Sequence, residues 1–200
     1  MNTTPPINPL KEKKDRLRQQ YKALRADIPA EERARRDAAI CQSALALVSF
    51  RYADVVLLYA PMEEEIDVLP IAEAALQKGK KVAFPRCDPE NKSMEYHFIQ
   101  SLEDLSISTY GIREPEAHLP IYNQAAHSHG AVCFIPGLVY DRRGYRLGYG
   151  KGFYDRYLSA FHGCRIGVIY SDYIIPEVPK GRFDIRCDIL LTEKNVRVPR

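Results

Sequence analysis

No stretch of this 200-residue chain stays apolar for long. Its strongest apolar runs, residues 55–60 and 131–139, fall far short of the roughly 18 to 20 residues a membrane span requires, so a soluble protein with no membrane partner is expected. Net charge is equally scarce: 29 Lys and Arg against 26 Asp and Glu leave +3, too little to name nucleic acid as a partner. The five cysteines (Cys41, Cys87, Cys133, Cys164, Cys187) are odd in number, widely spaced and without a C-x-x-C, so they read as reduced thiols and not as a disulfide or zinc framework. The opening Met-Asn-Thr-Thr-Pro-Pro has no charged region, apolar region and small-residue cleavage site in series, and a cytoplasmic location is therefore expected. There is no G-x-S-x-G elbow and no H-E-x-x-H. Nor is there an internal repeat, or a Gly-, Ser- or Pro-rich linker to divide the chain.

What remains is an ordinary globular composition, 46% hydrophobic and 28% charged, long enough to bury roughly 70% of its unfolded surface. Leu10, Leu17, Tyr21 and Leu24 mark a narrow apolar stripe on a basic helix over about residues 9–26, which stops near Asp27-Ile28-Pro29. A second helix opens at Pro29-Ala30-Glu31-Glu32 and buries Ile40, Ala44, Leu47 and Val48. Residues 55–59 then form a continuous β-branched and aliphatic run, the mark of a strand buried on both faces. Asp67 caps a helix through Ile71, Ala75 and Leu76 that ends at Gly79, and residues 81–84 return as a strand, completing a βαβ unit. Met94, Tyr96 and Phe98 alternate with polar residues as a half-exposed strand does. Residues 131–135, 165–170 and 188–192 read as further strands, with a helix marked by Phe153, Tyr157, Leu158 and Phe161 before the last two. The alternation predicts one α/β domain spanning residues 1–200, a three-layer α/β/α sandwich around a mainly parallel, Rossmann-like sheet.

Charge is concentrated where chemistry is expected. Seven basic residues fall within positions 11–25, and a second basic segment covers 142–151. In that second segment, Gly144, Gly148, Gly150 and Gly152 occupy nine positions between a buried strand and an amphipathic helix, at the carboxyl end of a strand where open α/β sheets bind ligands. Glycines there let the backbone approach a phosphate, and the helix-opening amides point at it. Arg146 and Lys151 add positive charge, and Asp155 is an acid suited to a Mg²⁺ ion shared with phosphates. A tight turn with solvated cations, and Asp155 paired to one of them, is the plain alternative. The segment is no Walker A loop, because Tyr145 stands where the first Gly would be and Gly152 follows the Lys. His127-Ser128-His129 reads as a loop and not as a metal site.

The stretch Arg146-Leu147-Gly148-Tyr149-Gly150-Lys151-Gly152-Phe153-Tyr154-Asp155, preceded by Pro136-Gly137 and Asp141, resembles the signature of the 5-formyltetrahydrofolate cyclo-ligase family, the methenyltetrahydrofolate synthetases. Lys14-Asp15-Arg16-Leu17-Arg18 resembles the family's Lys-x-x-Leu-Arg helix that touches ATP. Met62-Glu63-Glu64-Glu65-Ile66 resembles its folate-contacting Met-x-x-Glu-Ile loop, and Asp184-Ile185-Arg186-Cys187-Asp188 its late metal-site Asp-x-x-x-Asp. The likeness runs along nearly the whole chain. Tyr110 stands where some members carry Trp, and Tyr149 where others carry Arg or Met.

The resemblance implies an ATP- and Mg²⁺-dependent closure of 5-formyltetrahydrofolate to 5,10-methenyltetrahydrofolate, releasing ADP and phosphate, with small-molecule partners only and a monomeric enzyme. It implies catalytic roles for Arg146 and Lys151, and an ATP site of Lys14, Arg18 and residues 146–154. It also implies folate contacts from Tyr59, Met62, Glu65, Tyr110 and residues 149–153, and metal ligation by Asp155 and Asp184. Each has a plainer reading: Lys14 and Arg18 on a solvated helix face, Glu65 one acid among three, Asp184 paired to a nearby Arg, Tyr59 in the strand core. Two other functions compete, a non-catalytic folate- or nucleotide-binding regulator of the same fold and an RNA-binding module using the basic helix.

Overall fold

A computed structural model describes residues 9–108, 111–126 and 130–199. Tyr110 and the His127-Ser128-His129 segment lie outside the described residues. The chain opens with α1 (Pro9–Ala26), α2 (Ala30–Ala46) and the short α3 (Val48–Tyr52), followed by β1 (Val55–Leu57), α4 (Leu69–Gln77), β2 (Lys81–Asp88) and β3 (Ser93–Ile99). It continues through β4 (Leu105–Ile107), β5 (Arg113–Pro115), β6 (Ala131–Ile135), β7 (Val139–Asp141), β8 (Arg146–Leu147) and α5 (Phe153–Leu158). It closes with β9 (Cys164–Val168), β10 (Ile174–Ile175), β11 (Ile189–Leu191) and β12 (Val196–Arg197).

Seven strands form the central sheet in the order β12-β11-β9-β6-β1-β2-β3. The middle five are parallel, and the two edges, β3 against β2 and β12 against β11, are antiparallel. The strand order proceeds outward in opposite senses from β1 and β6: β1 leads to β2 on one side, β6 to β9 and β11 on the other. Right-handed crossovers therefore leave the sheet on opposite faces, with α4 on one and α5 on the other, and a crevice opens between the carboxyl ends of β1 and β6. α2 packs against α4, and α5 against β3.

The burial of these strands explains their composition. Every residue of β1 and β6 is buried, which is why neither alternates. α4 is entered where Asp67 Oδ1 accepts from the amide of Leu69 at 2.9 Å, and it ends where the amides of Gly79 and Lys80 return to the carbonyls of Leu76 and Ala75. Among the described residues no helix is long and apolar enough to cross a membrane.

Several expectations are corrected. Val48 is 67% exposed and does not share the face of Ile40 and Ala44, because Leu47 leaves the helical conformation and α3 begins a new direction. The ladder of β1 stops at Leu57, and Leu58, Tyr59 and Ala60 remain buried as irregular backbone at the sheet's carboxyl end. β3 is more buried than alternation implies: His97 is enclosed, with Nδ1 2.9 Å from the carbonyl oxygen of Leu119. Phe161 lies beyond α5, and β9 stops at Val168. A three-stranded sheet of β10, β7 and β8 builds a platform under the glycine loop that hydrophobic patterning does not reveal.

Candidate functional site

The glycine loop is fixed from below by Asp141, which is fully buried on β7. Its Oδ1 accepts from the amides of Arg143 and Tyr145 at 2.9 and 3.0 Å, and its Oδ2 from the amide of Val178 at 3.2 Å. This carboxylate turns β7 into β8 and so sets where residues 148–152 emerge. From above, the basic stripe of α1 lies on the loop. Lys14, Arg18 and Lys22 are four apart and share one helix face. Lys14 Nζ meets Asp184 Oδ2 at 2.6 Å, Arg18 Nε donates to the carbonyl of Gly148 at 2.9 Å, and Lys22 Nζ stands 5.0 Å from the ring centre of Tyr149. Gly150, at φ 100°, has no room for a Cβ, which would sit 3.0 Å from Arg18 Cζ. The two basic segments, far apart in sequence, meet here.

The structure brings the two expected metal ligands together through the backbone. The amide of Ile185, next in chain to Asp184, donates to Asp155 Oδ1 at 3.2 Å, and Asp155 Oδ1 also lies 3.1 Å from Arg146 Nη2. Oδ2 of Asp155 and Oδ1 of Asp184 accept no hydrogen bond among the described residues. These two spare carboxylate oxygens are hard donors of the kind a Mg²⁺-like ion takes, and Lys14 and Arg146 balance the charge of their carboxylates. Among the described residues no group of three or more His, Cys, Asp or Glu side chains forms an all-protein metal cage.

Arg146 does not sit where a phosphate-holding cation was expected. It is 7% exposed, with Nη1 donating to the carbonyl of Ile185 at 3.1 Å, Nη2 on Asp155, and the guanidinium 5.7 Å from the centre of the Tyr154 ring. In this arrangement it orients Asp155 and ties the glycine loop to residues 184–185. Leu147 is a core side chain, and its carbonyl accepts from the amide of Leu138 at 2.8 Å. Lys151 is exposed on the loop, with its carbonyl held by Arg156 Nη2 at 2.9 Å. Gly152 is the left-handed residue that opens α5, and Phe153 and Tyr154 are half-buried on its first turn.

A second cluster occupies the crevice between β1 and β6. Residues 62–65 form a tight turn: the amide of Glu65 donates to the carbonyl of Met62 at 2.9 Å, and Glu65 Oε2 accepts from the amide of Met62 at 3.0 Å. That backbone bond singles out Glu65 from Glu63 and Glu64. Glu65 is 7% exposed, and burial pushes its carboxyl up to about 7, the Met62 amide and the charge of Arg25 holding it back. Tyr59 is buried beneath the turn and donates from its hydroxyl to the carbonyl of Ile66 at 2.9 Å, so it shapes the loop from the core and does not lie open to a ring.

Arg25 was not singled out by sequence, where it is one cation of seven. It is 2% exposed; Nη2 donates to the carbonyls of Gly137 and Leu138, and Nη1 to that of Glu64 at 3.3 Å. One guanidinium thus joins the end of α1 to the loops that follow β1 and β6. Gly137 is required beneath it, because a Cβ there would lie 2.6 Å from the ring of Tyr140. Tyr149 comes from the glycine loop to the same crevice, with its hydroxyl buried and without a partner; burial and the Glu65 charge both raise its pKa. A cavity of about 490 Å³ lined by Arg33, Asp37, Glu63 and Asp67 borders residues 63–67 but contains none of the site residues expected from sequence.

Comparison with known proteins gives a consistent result. A model of the 5-formyltetrahydrofolate cyclo-ligase family matches residues 10–193. A probable 5-formyltetrahydrofolate cyclo-ligase of Caenorhabditis elegans is 28% identical over 200 residues, covering 94% of this chain and 96% of that protein. The 5-formyltetrahydrofolate cyclo-ligase of Mus musculus is 25% identical over 187 residues, covering 88% and 92%. Among solved structures, the NMR structure of Aquifex aeolicus 5,10-methenyltetrahydrofolate synthetase has a TM-score of 0.82 at 33% identity, covering 94% of this chain and 93% of its own. Since the match runs from the basic helix to the last parallel strand and takes in both clusters, the chain belongs to the 5-formyltetrahydrofolate cyclo-ligase family of enzymes.

Proposed function

We propose that the protein closes 5-formyltetrahydrofolate to 5,10-methenyltetrahydrofolate at the expense of ATP, with Mg²⁺ as its metal. One observation carries this reading: Lys14 and Arg18 of α1 converge on Asp184 and the glycine loop beside a crevice whose buried carboxylate, Glu65, has an oxygen to spare. A polyanion site and a donor-reading site therefore adjoin, as a reaction between a nucleotide and a pterin requires.

The chemistry follows from the substrate. The formyl oxygen attacks the γ-phosphorus and ADP leaves; N10 then attacks the activated carbon and gives up its proton to water or to the departing phosphate, which leaves with that oxygen as the ring closes. Both nucleophiles belong to the folate, which is why a serine elbow or a cysteine–histidine pair is dispensable. The protein supplies position and charge. Lys14 and Arg18 hold the nucleotide from α1, the glycine-loop amides and Lys151 face the phosphoryl oxygens, and Arg146 keeps Asp155 aimed. Asp155 and Asp184 hold the metal, which supplies charge neutralisation at the phosphate oxygens when bound. Met62 packs beside the pterin, and Glu65 accepts from its N–H groups. Mixing the protein with ATP, Mg²⁺ and 5-formyltetrahydrofolate should develop the near-ultraviolet absorbance of the methenyl product. No ATP-dependent absorbance at ample protein would overturn the reading.

A further inference from the structure

The crevice between β1 and β6 holds more hydrogen-bond donors than the protein can satisfy. Among the described residues the Tyr149 hydroxyl and Arg25 Nε are both buried without a partner, while the other two nitrogens of Arg25 are spent on backbone carbonyls. Beside them, Glu65 offers an acceptor: Oε2 is taken by the amide of Met62, and Oε1 has no protein donor among the described residues. Unpaired buried polar groups are costly, about 1 to 3 kcal/mol each, so a site that keeps two orphan donors next to one spare carboxylate oxygen is complementary to an edge bearing donors and an acceptor side by side.

The pyrimidine edge of a pterin has that order: the 2-amino group and N3–H donate, and the adjacent 4-oxo group accepts. Resting on the reading proposed above, we infer that Tyr149 determines specificity for the 4-oxo group, donating its hydroxyl to that oxygen while Glu65 Oε1 takes the neighbouring N–H donors. Arg25 is the positioning residue of the pair, fixing the Glu65 turn against the Gly137 carbonyl so that the two readers stay one ring edge apart. Tyr149 lies between Gly148 and Gly150, so the group that reads the pterin is continuous with the loop assigned to the phosphates. Lys22 lies over its ring and holds it there. A 4-amino analogue presents a donor at this point and a bare N3 beside it: the hydroxyl can only accept from it, which leaves its own proton unpaired, and Glu65 loses one of its N–H donors.

The test is direct binding, by calorimetry without ATP, of 5-formyltetrahydrofolate and its 4-amino counterpart to wild type, Tyr149→Phe and Arg25→Lys. Tyr149→Phe should bind the 4-oxo ligand about tenfold more weakly, the worth of one buried hydrogen bond, and the 4-amino ligand nearly as wild type does, so that discrimination narrows by about that factor while the share due to Glu65 remains. Arg25→Lys keeps the charge but cannot span the three carbonyls, and should weaken both ligands together. If Tyr149→Phe loses affinity equally for both ligands, or for neither, the specificity role is overturned. Should Arg25→Lys fail to fold, the Tyr149→Phe ratio still decides it. Wild type that binds neither ligand would instead overturn the proposed function.

Discussion

Replacing Glu65 by Gln should make the protein more stable and less able to bind its substrate, with a pH dependence that separates the two effects. Glu65 is nearly enclosed, and burial raises its carboxyl from an ordinary 4.5 to about 7. The groups acting on it are the Met62 amide and Arg25, which favour the charged form, and Glu64, which opposes it. Because the folded state holds this proton more tightly than the unfolded chain, the contribution of Glu65 to stability is fully present below 4.5 and is lost as pH rises through about 7. The span from 4.5 to about 7 on the pH scale is worth about 3 kcal/mol. Gln is nearly isosteric, keeps an oxygen for the Met62 amide and does not titrate. Urea unfolding followed by circular dichroism should therefore show wild type and Glu65→Gln close together near pH 4.5, and the variant ahead by about 3 kcal/mol above about pH 8. Folate binding should run the other way: wild type gains affinity as Glu65 ionises through about 7, whereas the variant stays weak and flat with pH. A stability gap that is constant across this range, or that widens toward acid, would refute the burial argument. A wild-type affinity that ignores this pH interval would refute the assignment of Glu65 as the acceptor.

Four further outcomes follow from the geometry. Gly150→Ala places a Cβ at φ 100° and 3.0 Å from Arg18 Cζ, so it should cost about 1 kcal/mol of stability and displace α1 from the loop, read as a fall in ATP affinity by calorimetry. Asp155→Asn should abolish Mg²⁺-dependent turnover while leaving the unfolding midpoint within a few degrees of wild type. Asp155→Ala should also destabilise by about 3 kcal/mol, because it leaves the buried Arg146 guanidinium short of its carboxylate. Lys14→Met should weaken ATP binding with less than about 1 kcal/mol change in stability, since both partners of its ion pair touch solvent. Burial pushes the thiols of Cys41 and Cys133 up to about 12 and that of Cys187 to about 11, so mass spectrometry after brief alkylation at neutral pH should find these three unmodified in the folded protein and labelled only in denaturant.

The parts of the fold that sequence made legible are those whose burial is uniform or periodic. The strand at 131–135 announced itself because both its faces are covered, and α4 because its entry at Asp67 and its exit at Gly79 are local chemistry. Val48 misled because one apolar residue continues a helical period whether or not the helix continues; the helix breaks at Leu47, whose backbone is extended (φ −60°, ψ 133°). The small sheet of β7, β8 and β10 was silent for another reason. Its strands are two or three residues long, and its organiser, Asp141, is a buried charge whose partners are backbone amides 2, 4 and 37 residues away.

The same distinction divides the candidate site. The glycine loop stood out by its own composition, whereas Glu65 and Asp184 were singled out only by the family resemblance, since Glu65 is one acid of three in a row and Asp184 lies between arginines. The places of the arginines were not legible, since a guanidinium looks the same in sequence whether it faces solvent, phosphate or protein. Arg146 was expected at the phosphates and lies beneath the loop, holding Asp155; Arg25 was expected nowhere and joins the loops of the two strands that flank the crevice. Both cations are buried and held by protein groups, Arg25 by three backbone carbonyls and Arg146 by the Ile185 carbonyl and the Asp155 carboxylate. This gives the net charge of +3 its meaning. Part of the positive charge counted in the two basic segments is structural, and of the remainder Lys14 and Arg18 reach Asp184 and the glycine loop, on which Lys151 is exposed. Under the proposed function, those three cations are the part of the basic charge that meets the triphosphate.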